Sequence, residues 1–222
     1  MLKTKRTRNP RLTREALLRA GSELFAARGF DGATVELIAR KARINKAMIH
    51  YYFGGKEGLY KAILAATFIP AIEQLLSLRR AERPAGELLG EFIAIFGEIN
   101  EQNPIFSTMV LREILSGGKH FDEETKGYFL NIYSHLREII EGGVRDGTFR
   151  PVHPLLTHLG LIGSLVHFFA IAPFRDRLIA EGRLPSPVPG PGAYIRHLQA
   201  LMSRGLAADS RRGARKRSRR EE

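Results

Sequence analysis

The chain has 222 residues, a formal net charge of +12 and no cysteine. A chain of this length folds into one large domain or two small ones, each with a buried core. The absence of cysteine excludes a disulfide, a thiolate zinc site and a thiol nucleophile.

Two basic arms carry most of the positive charge. Residues 1–14 contain six basic residues and no acidic one, and residues 211–222 contain seven basic and two acidic residues. Such arms suit a DNA backbone, because each phosphate that they neutralise releases counterions. The alternative is that the arms only aid solubility. The N-terminal arm lacks the apolar segment of a signal peptide, so we expect a cytoplasmic protein.

A first helix is predicted from Thr13 to about Arg28. Thr13 is a good N-cap, and Gly29 is suited to the position that ends a helix. Apolar residues recur here with a helical period and form one stripe, which consists of Leu17, Ala20, Leu24 and Phe25. We therefore expect this helix to form a small core with the two helices that follow.

Residues 34–53 predict a helix-turn-helix. Thr34 is the N-cap of one helix, residues 42–44 form a three-residue turn, and Asn45 is the N-cap of the next helix, over residues 46–52. The second helix of such a motif enters the major groove of DNA. The inward residues would be Ile49 and Phe53, and the outward ones Lys46, Ala47, Met48, His50 and Tyr51.

Residues 13–64 resemble the DNA-binding region of the TetR family of bacterial transcriptional regulators. The matching positions are Gly29-Phe30, Thr34-Val35, Ile38-Ala39, Ala42, Asn45, Ile49, Tyr52-Phe53 and Lys56-Glu57-Gly58-Leu59. The chain departs from the family pattern at three places. Arg43 stands where the turn usually has glycine, His50 where an aromatic residue is frequent, and Gly55 where a small polar cap is usual.

The resemblance implies an all-α fold in which an N-terminal three-helix DNA-binding domain is joined to a C-terminal helical domain for ligand binding and dimerisation. We place the basic N-terminal arm at residues 1–12 and the helix-turn-helix domain at residues 13–60. The regulatory and dimerisation domain would then cover residues 61–208, and the basic C-terminal tail residues 209–222.

The resemblance also implies a set of DNA contacts. Thr34 and Lys56 begin helices whose free N–H groups can hold phosphates, and Ala47 and Met48 could pack on thymine methyl groups. The full set is Thr34, Arg43, Asn45, Lys46, Ala47, Met48, His50, Tyr51 and Lys56, of which Asn45 to Met48 would lie nearest the base edges and His50 and Tyr51 nearer the backbone. The alternatives are that both lysines are ordinary solvated helix starts and that Met48 packs in the core.

Four further helices are predicted in the next ninety residues. A long one runs over residues 56–80 and is expected to kink at Pro70. Others run over residues 85–101, from an Asn103-Pro104 start, and from an Asp122 N-cap to Gly147. The stripe of the long helix would consist of Ile63, Leu64, Phe68, Ile72, Leu75 and Leu76, and that of the Asn103 helix of Phe106, Met109, Val110, Glu113 and Ile114.

Residues 155–172 contain no charged residue. A membrane span is one interpretation, but the segment is shorter than the roughly 20 residues that a span needs. It also has two distinct faces, so we prefer a helix that is buried on both sides, once by its own subunit and once by a second copy of the chain. With a last helix after residue 192, the predicted dimer interface consists of Gly160, Gly163, Ser164, His167, Tyr194, Leu198 and Leu201.

The helical body is a candidate receptor for an unidentified small molecule, as the family resemblance implies. The candidate walls are Phe92, Phe96, Phe106, Met109, Tyr128, Tyr133, His167 and Phe168, with Arg112 and Glu113 as polar anchors. Each of these residues has the alternative of ordinary core or surface packing. A pocket of this kind needs mainly apolar walls with few polar groups.

No catalytic motif stands out, and we expect no cofactor and no metal. The sequence has no HExxH, no glycine-rich phosphate loop and no GxSxG. His120 with Asp122, Glu123 and Glu124 superficially resembles a metal cluster, but an acidic helix start explains the same residues.

The favoured hypothesis is a homodimeric, sequence-specific transcriptional regulator, a repressor that a ligand releases from a palindromic operator. One alternative is a non-specific architectural DNA-binding protein driven by the basic arms. Another is a helical enzyme whose active site has no familiar motif. Comparing operator with scrambled DNA across a salt series would separate the first two.

Overall fold

The structure is a computed structural model, and it describes residues 9–79 and 83–208. Within these residues the chain is all-α, as predicted, and the β-structure is limited to one isolated bridge between Phe149 and Ala207. Residues 1–8 of the N-terminal arm and the whole C-terminal tail lie outside the described residues. The helices are α1 (Pro10–Gly32), α2 (Val35–Ala42), α3 (Ala47–Phe53), α4 (Lys56–Arg79), α5 (Ala85–Gln102), α6 (Phe106–Leu115), α7 (Glu123–Asp146), α8 (Pro154–Ala170), α9 (Ala172–Ala180) and α10 (Pro191–Leu206).

Helix α1 begins earlier than predicted. Its N-cap is Asn9, whose side chain accepts a hydrogen bond from the Arg11 N–H, and Pro10 occupies the first turn, where no N–H is needed. The prediction that Thr13 caps the helix is therefore wrong. Thr13 is buried within the helix, and its hydroxyl donates to the Asn9 carbonyl. The helical path breaks at Gly29, whose φ of 72° is left-handed, as the sequence indicates.

The helix-turn-helix forms with the predicted turn. The Thr34 hydroxyl accepts from the Leu37 N–H at 3.2 Å, which confirms Thr34 as the cap of α2. Arg43 ends α2 with a φ of 55°, a left-handed conformation that costs a non-glycine residue about 1 kcal/mol. The Asn45 side chain accepts from the Ala47 N–H at 2.9 Å, so it supports the start of α3 as predicted, although α3 begins one residue later.

Helix α4 connects the helix-turn-helix domain to the body, which is the helical part of the chain after residue 60. It packs against α1, α3, α5 and α7. It continues through Pro70, which is exposed. The predicted apolar stripe is correct except for Leu76, which is 41% exposed. By length and composition alone, α4 could cross a membrane, and so could α8 and α9 if the bent pair is taken as one span. The apolar composition of α4 is explained by its stripe, which is buried in the core of the fold.

Helices α5 to α7 follow the predicted order, with one shifted boundary. The Asp122 side chain accepts from the Thr125 N–H at 2.8 Å, and Gly147 ends α7 with a φ of 82°, so both predicted ends are confirmed. Asn103 does not cap α6. Its carbonyl accepts from the Phe106 N–H in a preceding turn, and α6 starts at Phe106. Ile114 was expected on the apolar stripe of α6, but it is 49% exposed.

The C-terminal helices differ most from the prediction. Helix α9 was not predicted, and it has no buried residue. Helix α10 packs against α5, where Ile195 lies against Gly97 and the Gln199 amide donates to the Gly90 carbonyl at 2.8 Å. A side chain on Gly97 would collide with Ile195, so this close helix contact requires the glycine.

Candidate DNA-reading surface, effector cavity and interdomain junction

Helix α3 presents one polar face to solvent. Ile49 is fully buried and Phe53 half-buried on the inner side, whereas Tyr51 on the outer side is 75% exposed. Lys46, Ala47 and His50 are exposed as predicted. Met48 is half-buried against the core, so its placement on the outer face is wrong. The exposed face has the length and shape of a helix that can enter a major groove.

Lys56 was predicted to hold a phosphate at the start of α4. Its ammonium donates to the Phe30 carbonyl at 3.1 Å and lies 4.1 Å from the centre of the Phe30 ring. These contacts direct the charge onto the end of α1 and give Lys56 a role in holding the three-helix unit together. Lys46 pairs with Glu36 at 3.1 Å on the exposed side, where the pair adds little to stability.

The corner between α3 and α4 depends on three glycines. Gly54 and Gly55 have φ values of 74° and 140°, which side-chain-bearing residues rarely adopt. Gly58 lies in the first turn of α4, and a Cβ on it would collide with the Phe53 carbonyl oxygen. The sequence pattern contained all three, but it did not show that Gly58 is required by a backbone contact.

An apolar cavity of about 60 Å³ lies among α4, α5, α6, α7 and α8. Its walls include the rings of Phe68, Phe96, Phe106 and Phe129. None of its lining residues carries a formal charge. They are Thr67, Phe68, Ala71, Phe96, Ile99, Asn100, Phe106, Ser107, Val110, Phe129, Ile132, His158, Ile162, Leu165 and Val166.

Of the ten predicted ligand residues, Phe96 and Phe106 line this cavity, and the other eight do not. Phe92 lies in the closed core, and Met109 lines a separate groove between α1, α4 and the turn before α6. Arg112 and His167 are exposed. Glu113 is held by Tyr60 and His120, and Tyr128 by Glu124. Tyr133 packs against His158, and Phe168 lies between Tyr194 and Arg175.

The polar side chains of the cavity wall were missed by sequence reasoning. The Ser107 hydroxyl donates to the Asn100 side chain, whose amide donates to the Phe96 carbonyl at 2.7 Å. The Thr67 hydroxyl donates to its own helix. Nδ1 of His158 is buried and has no hydrogen-bond partner among the described residues. Burial lowers the pKa of His158, so its imidazole is neutral at pH 7. The sequence signal that could have identified these residues is an uncharged polar side chain within the apolar stripe of a helix.

A polar junction joins the end of α1 to the body. The buried Glu113 carboxylate accepts from the His120 backbone N–H at 2.8 Å and lies 3.0 Å from His120 Nδ1. The Tyr60 hydroxyl of α4 donates to the same carboxylate at 3.4 Å. Burial and this carboxylate raise the pKa of Tyr60, so the hydroxyl keeps its proton. The prediction of Glu113 as a ligand anchor is wrong, because its oxygens are used here.

His120 also reaches the DNA-binding domain. Its ring stacks on Phe30 with 4.1 Å between ring centres, and its Nε2 lies 3.3 Å from Asp31 Oδ1. Asp31 accepts from the Lys119 ammonium at 2.8 Å, and this hydrogen bond lowers the pKa of Asp31. His120 thus belongs to an interdomain contact. Within residues 9–79 and 83–208, no three His, Asp or Glu side chains are grouped to hold a metal ion.

The predicted dimer surface is only partly available. Gly160, Gly163, Ser164 and His167 are exposed on α8, beside the exposed Leu156 and Leu159. Leu201 on α10 is 58% exposed. Leu198 is only 3% exposed and packs within its own subunit, so its assignment to the interface is wrong. Tyr194 donates to the Ser164 carbonyl at 2.7 Å and stacks on Phe168, which ties α10 to α8.

The chain is similar to known regulators over most of its length. The family model for bacterial regulatory proteins of the tetR family matches residues 17–63. The HTH-type transcriptional repressor NicS of Pseudomonas putida is 31% identical over 160 residues, which are 71% of this chain and 75% of NicS. The HTH-type transcriptional regulator RutR of Escherichia coli is 28% identical over 169 residues, covering 76% of this chain and 79% of RutR.

The fold has counterparts among solved structures. HlyIIR, a hemolysin II transcriptional regulator, superimposes with a TM-score of 0.65 at 25% identity, covering 90% of this chain and all of HlyIIR. The helix-turn-helix, the helical body and the relatives therefore agree. The chain is a transcriptional regulator rather than an enzyme, and it belongs to the TetR family of bacterial transcriptional regulators.

Proposed function

We propose that this regulator is a cytoplasmic, homodimeric repressor that binds a near-palindromic operator and leaves it when a small molecule occupies the body. The observation that carries the proposal is the exposed outer face of α3, with Lys46, Ala47, His50 and Tyr51 directed away from the core. Arg43, Asn45, the α2 cap Thr34 and the first α4 residue, Lys56, complete the proposed DNA-contacting set.

Dimerisation is supported by the outer face of α8. Leu156 and Leu159 expose large apolar surfaces next to Gly160 and Gly163, which would let a second helix approach closely. An isologous contact through this face would place two α3 helices on one side of a DNA duplex. The two half-sites would then lie about 34–36 Å apart, or one helical turn.

Ligand release is supported by the position of α6. Phe106, Ser107 and Val110 at its start line the cavity, while Glu113 near its end holds Tyr60 and His120 at the interdomain junction. The same helix packs against α1 of the DNA-binding domain. A ligand that displaces α6 would therefore change the position of α3, and it would favour the state that binds DNA less well.

The test begins by selecting genomic fragments that the purified protein binds. Binding to a selected fragment should exceed binding to its scrambled version by at least about 10³-fold. Ala47→Glu places a carboxylate on the reading face, and we expect it to abolish this preference because the groove is lined by phosphates. Ala180→Glu adds the same charge at the exposed end of α9 and should leave binding unchanged.

Two results would contradict the proposal. Equal affinity for selected and scrambled DNA would favour the architectural alternative, which the relatives named as transcriptional regulators do not support. A protein that stays monomeric at micromolar concentration in sedimentation would remove the paired half-site mechanism.

A further inference from the structure

The cavity among α4 to α8 contains a hydrogen-bonding group with no partner. His158 lines it from α8, and its Nδ1 is buried without a partner among the described residues. The other polar side chains of the wall already have partners, because Ser107, Asn100 and Thr67 each donate within the protein. A buried polar atom without a partner costs free energy, which a ligand group placed there would recover.

The walls restrict the ligand's charge. None of the lining residues is Asp, Glu, Lys or Arg, and the buried imidazole is held neutral. A carboxylate or an ammonium would lose its hydration without gaining a counter-ion, and a neutral molecule avoids that cost. A hydroxyl group can both donate and accept, so it matches either tautomer of a neutral imidazole.

The walls also restrict the ligand's shape. The cavity of about 60 Å³ is smaller than the roughly 150 Å³ of an apolar cavity that holds benzene, so a one-ring molecule fits only if the surrounding helices move apart. The rings of Phe106 and Phe129 lie edge-on to Phe68 at 5.1 and 4.9 Å, and Phe96 completes an aromatic wall. Aromatic side chains favour edge-to-face contacts with another ring.

We propose that the cavity binds a compact, neutral aromatic molecule whose single hydroxyl group hydrogen-bonds to His158. This inference rests on the proposed function in taking the cavity as the effector site, and it adds the chemical class of the effector. A ligand at this site pushes Phe106 of α6 away from His158 of α8, so occupancy acts directly on the helix that reaches the interdomain junction.

The experiment uses three probes of similar shape and the full-length protein. They are p-cresol, which has a hydroxyl group, p-xylene, which has a methyl group in its place, and p-toluate, which has a carboxylate. Calorimetric titration should show p-cresol binding about five- to tenfold more tightly than p-xylene, as expected for one hydrogen bond. The p-toluate anion should bind at least about a hundredfold more weakly than p-cresol.

Variants at His158 identify the hydrogen bond. His158→Leu should remove the preference for p-cresol over p-xylene. His158→Asn should restore the preference, because an asparagine amide lies near the position of Nδ1. His197→Leu is the matched control: His197 is exposed on α10 and lines no part of the cavity, so the preference should persist.

Three results would overturn the inference: equal affinity for p-cresol and p-xylene in the wild-type protein, tighter binding of p-toluate, or no calorimetric signal with p-cresol. The DNA experiment is separate, because it needs no probe. A regulator that prefers its operator but ignores the hydroxyl group would retain the proposed function and lose this inference. A protein that binds p-cresol as described but has no DNA preference would retain this inference about the cavity and lose the proposed function.

Discussion

The DNA-binding helices and the helical body differ in how far along the chain a polar group finds its partner. In the DNA-binding domain the Thr34 and Asn45 side chains accept from N–H groups three and two residues later. In the body, Gln199 contacts Gly90 across 109 positions, and Glu113 reaches Tyr60 at the interdomain junction across 53. The first region is therefore specified by short motifs, and the second by the way its helices pack.

This difference suits the two tasks that we propose. A reading helix must keep one orientation toward DNA, and locally satisfied caps and glycine corners hold it there. A sensing body must have two arrangements of similar free energy, and long-range contacts can be exchanged when a ligand enters. Helix α6 belongs to both regions, because it lines the cavity and ends at the junction.

The corner between α3 and α4 should respond most strongly to a single substitution. Gly58→Ala forces a Cβ against the Phe53 carbonyl oxygen, and because backbone cannot move aside cheaply, we expect a loss of about 3 kcal/mol in unfolding free energy. Gly127→Ala is the control, since nothing lies near that position on α7 and alanine favours a helix by about 1 kcal/mol. Urea denaturation measures both. Wild-type stability in Gly58→Ala would show that this corner is not tightly constrained.

Two residues of the interdomain junction should affect the unfolding free energy in a coupled way, more strongly than any local pair in the DNA-binding domain. We expect Glu113→Gln and His120→Ala to interact by about 2 kcal/mol in a double-mutant cycle, because both change the same contact between the buried Glu113 carboxylate and the His120 ring. The measurement is urea unfolding of both single variants and the double variant. Glu98→Gln, on an exposed position of α5, should give no coupling with His120→Ala. Additive effects at Glu113 and His120 would show that the contact is not energetically linked.

Substitutions in the turn of the helix-turn-helix test how strongly local backbone conformation controls the stability of the DNA-binding domain. Arg43→Gly should be about 1 kcal/mol more stable than Arg43→Ala, because alanine keeps the strain of the left-handed backbone and glycine removes it. At Arg40, inside α2, the order should reverse, since glycine weakens a helix interior. Thermal and urea unfolding of the four variants gives the comparison. The same order at both positions would contradict the assigned backbone.

The Asp122 cap should give the smallest effect, and one that depends on pH. Hydrogen bonds from Thr125, followed by the ammonium of Lys61, lower the pKa of Asp122 to about 2. A lowered folded-state pKa stabilises the fold above the ordinary carboxyl pKa, and this contribution is lost as pH falls toward 2. Asp122→Asn should cost about 0.5 kcal/mol at pH 7, because the site is partly exposed and screened.

That difference between Asp122→Asn and the wild-type protein should shrink as pH falls from 4.5 to 2.5, because in this range the carboxyl group of the unfolded chain binds a proton before the folded one does. Urea unfolding at pH 7, 4.5 and 2.5 measures it. A difference that stays constant across this range would mean that the charge of Asp122 does not contribute.

Local signals predicted most of the helix ends. The caps at Thr34 and Asp122 and the glycine end at Gly147 are confirmed, because each depends on groups a few residues apart. The TetR-like pattern at residues 13–64 is confirmed for the same reason. Gly29 breaks the helical path as predicted, but α1 continues to Gly32. Two caps were misplaced, at Thr13 and Asn103, since a nearby asparagine or a preceding turn offered the backbone an equally good partner.

The effector cavity could be predicted only in outline. Phe96 and Phe106 were found as aromatic residues of apolar stripes, but a stripe does not distinguish a side chain that fills the core, such as Phe92, from one that borders a space. His158 was not recognised as part of the site. Its missing partner depends on how five helices leave a gap between them.

The sequence by itself determined that this protein is helical and that residues 34–53 form a helix-turn-helix, because periodicity, caps and turns act over a few residues. The family followed from the resemblance of residues 13–64 to the TetR pattern. Only the tertiary structure decided that Leu198 is buried while Leu201 is exposed, that Glu113 holds the interdomain junction, and that α9 exists without burying a residue. The physical reason is that burial and hydrogen-bond partners across the body depend on helix packing. A side chain's position on its own helix does not specify which neighbour it will meet.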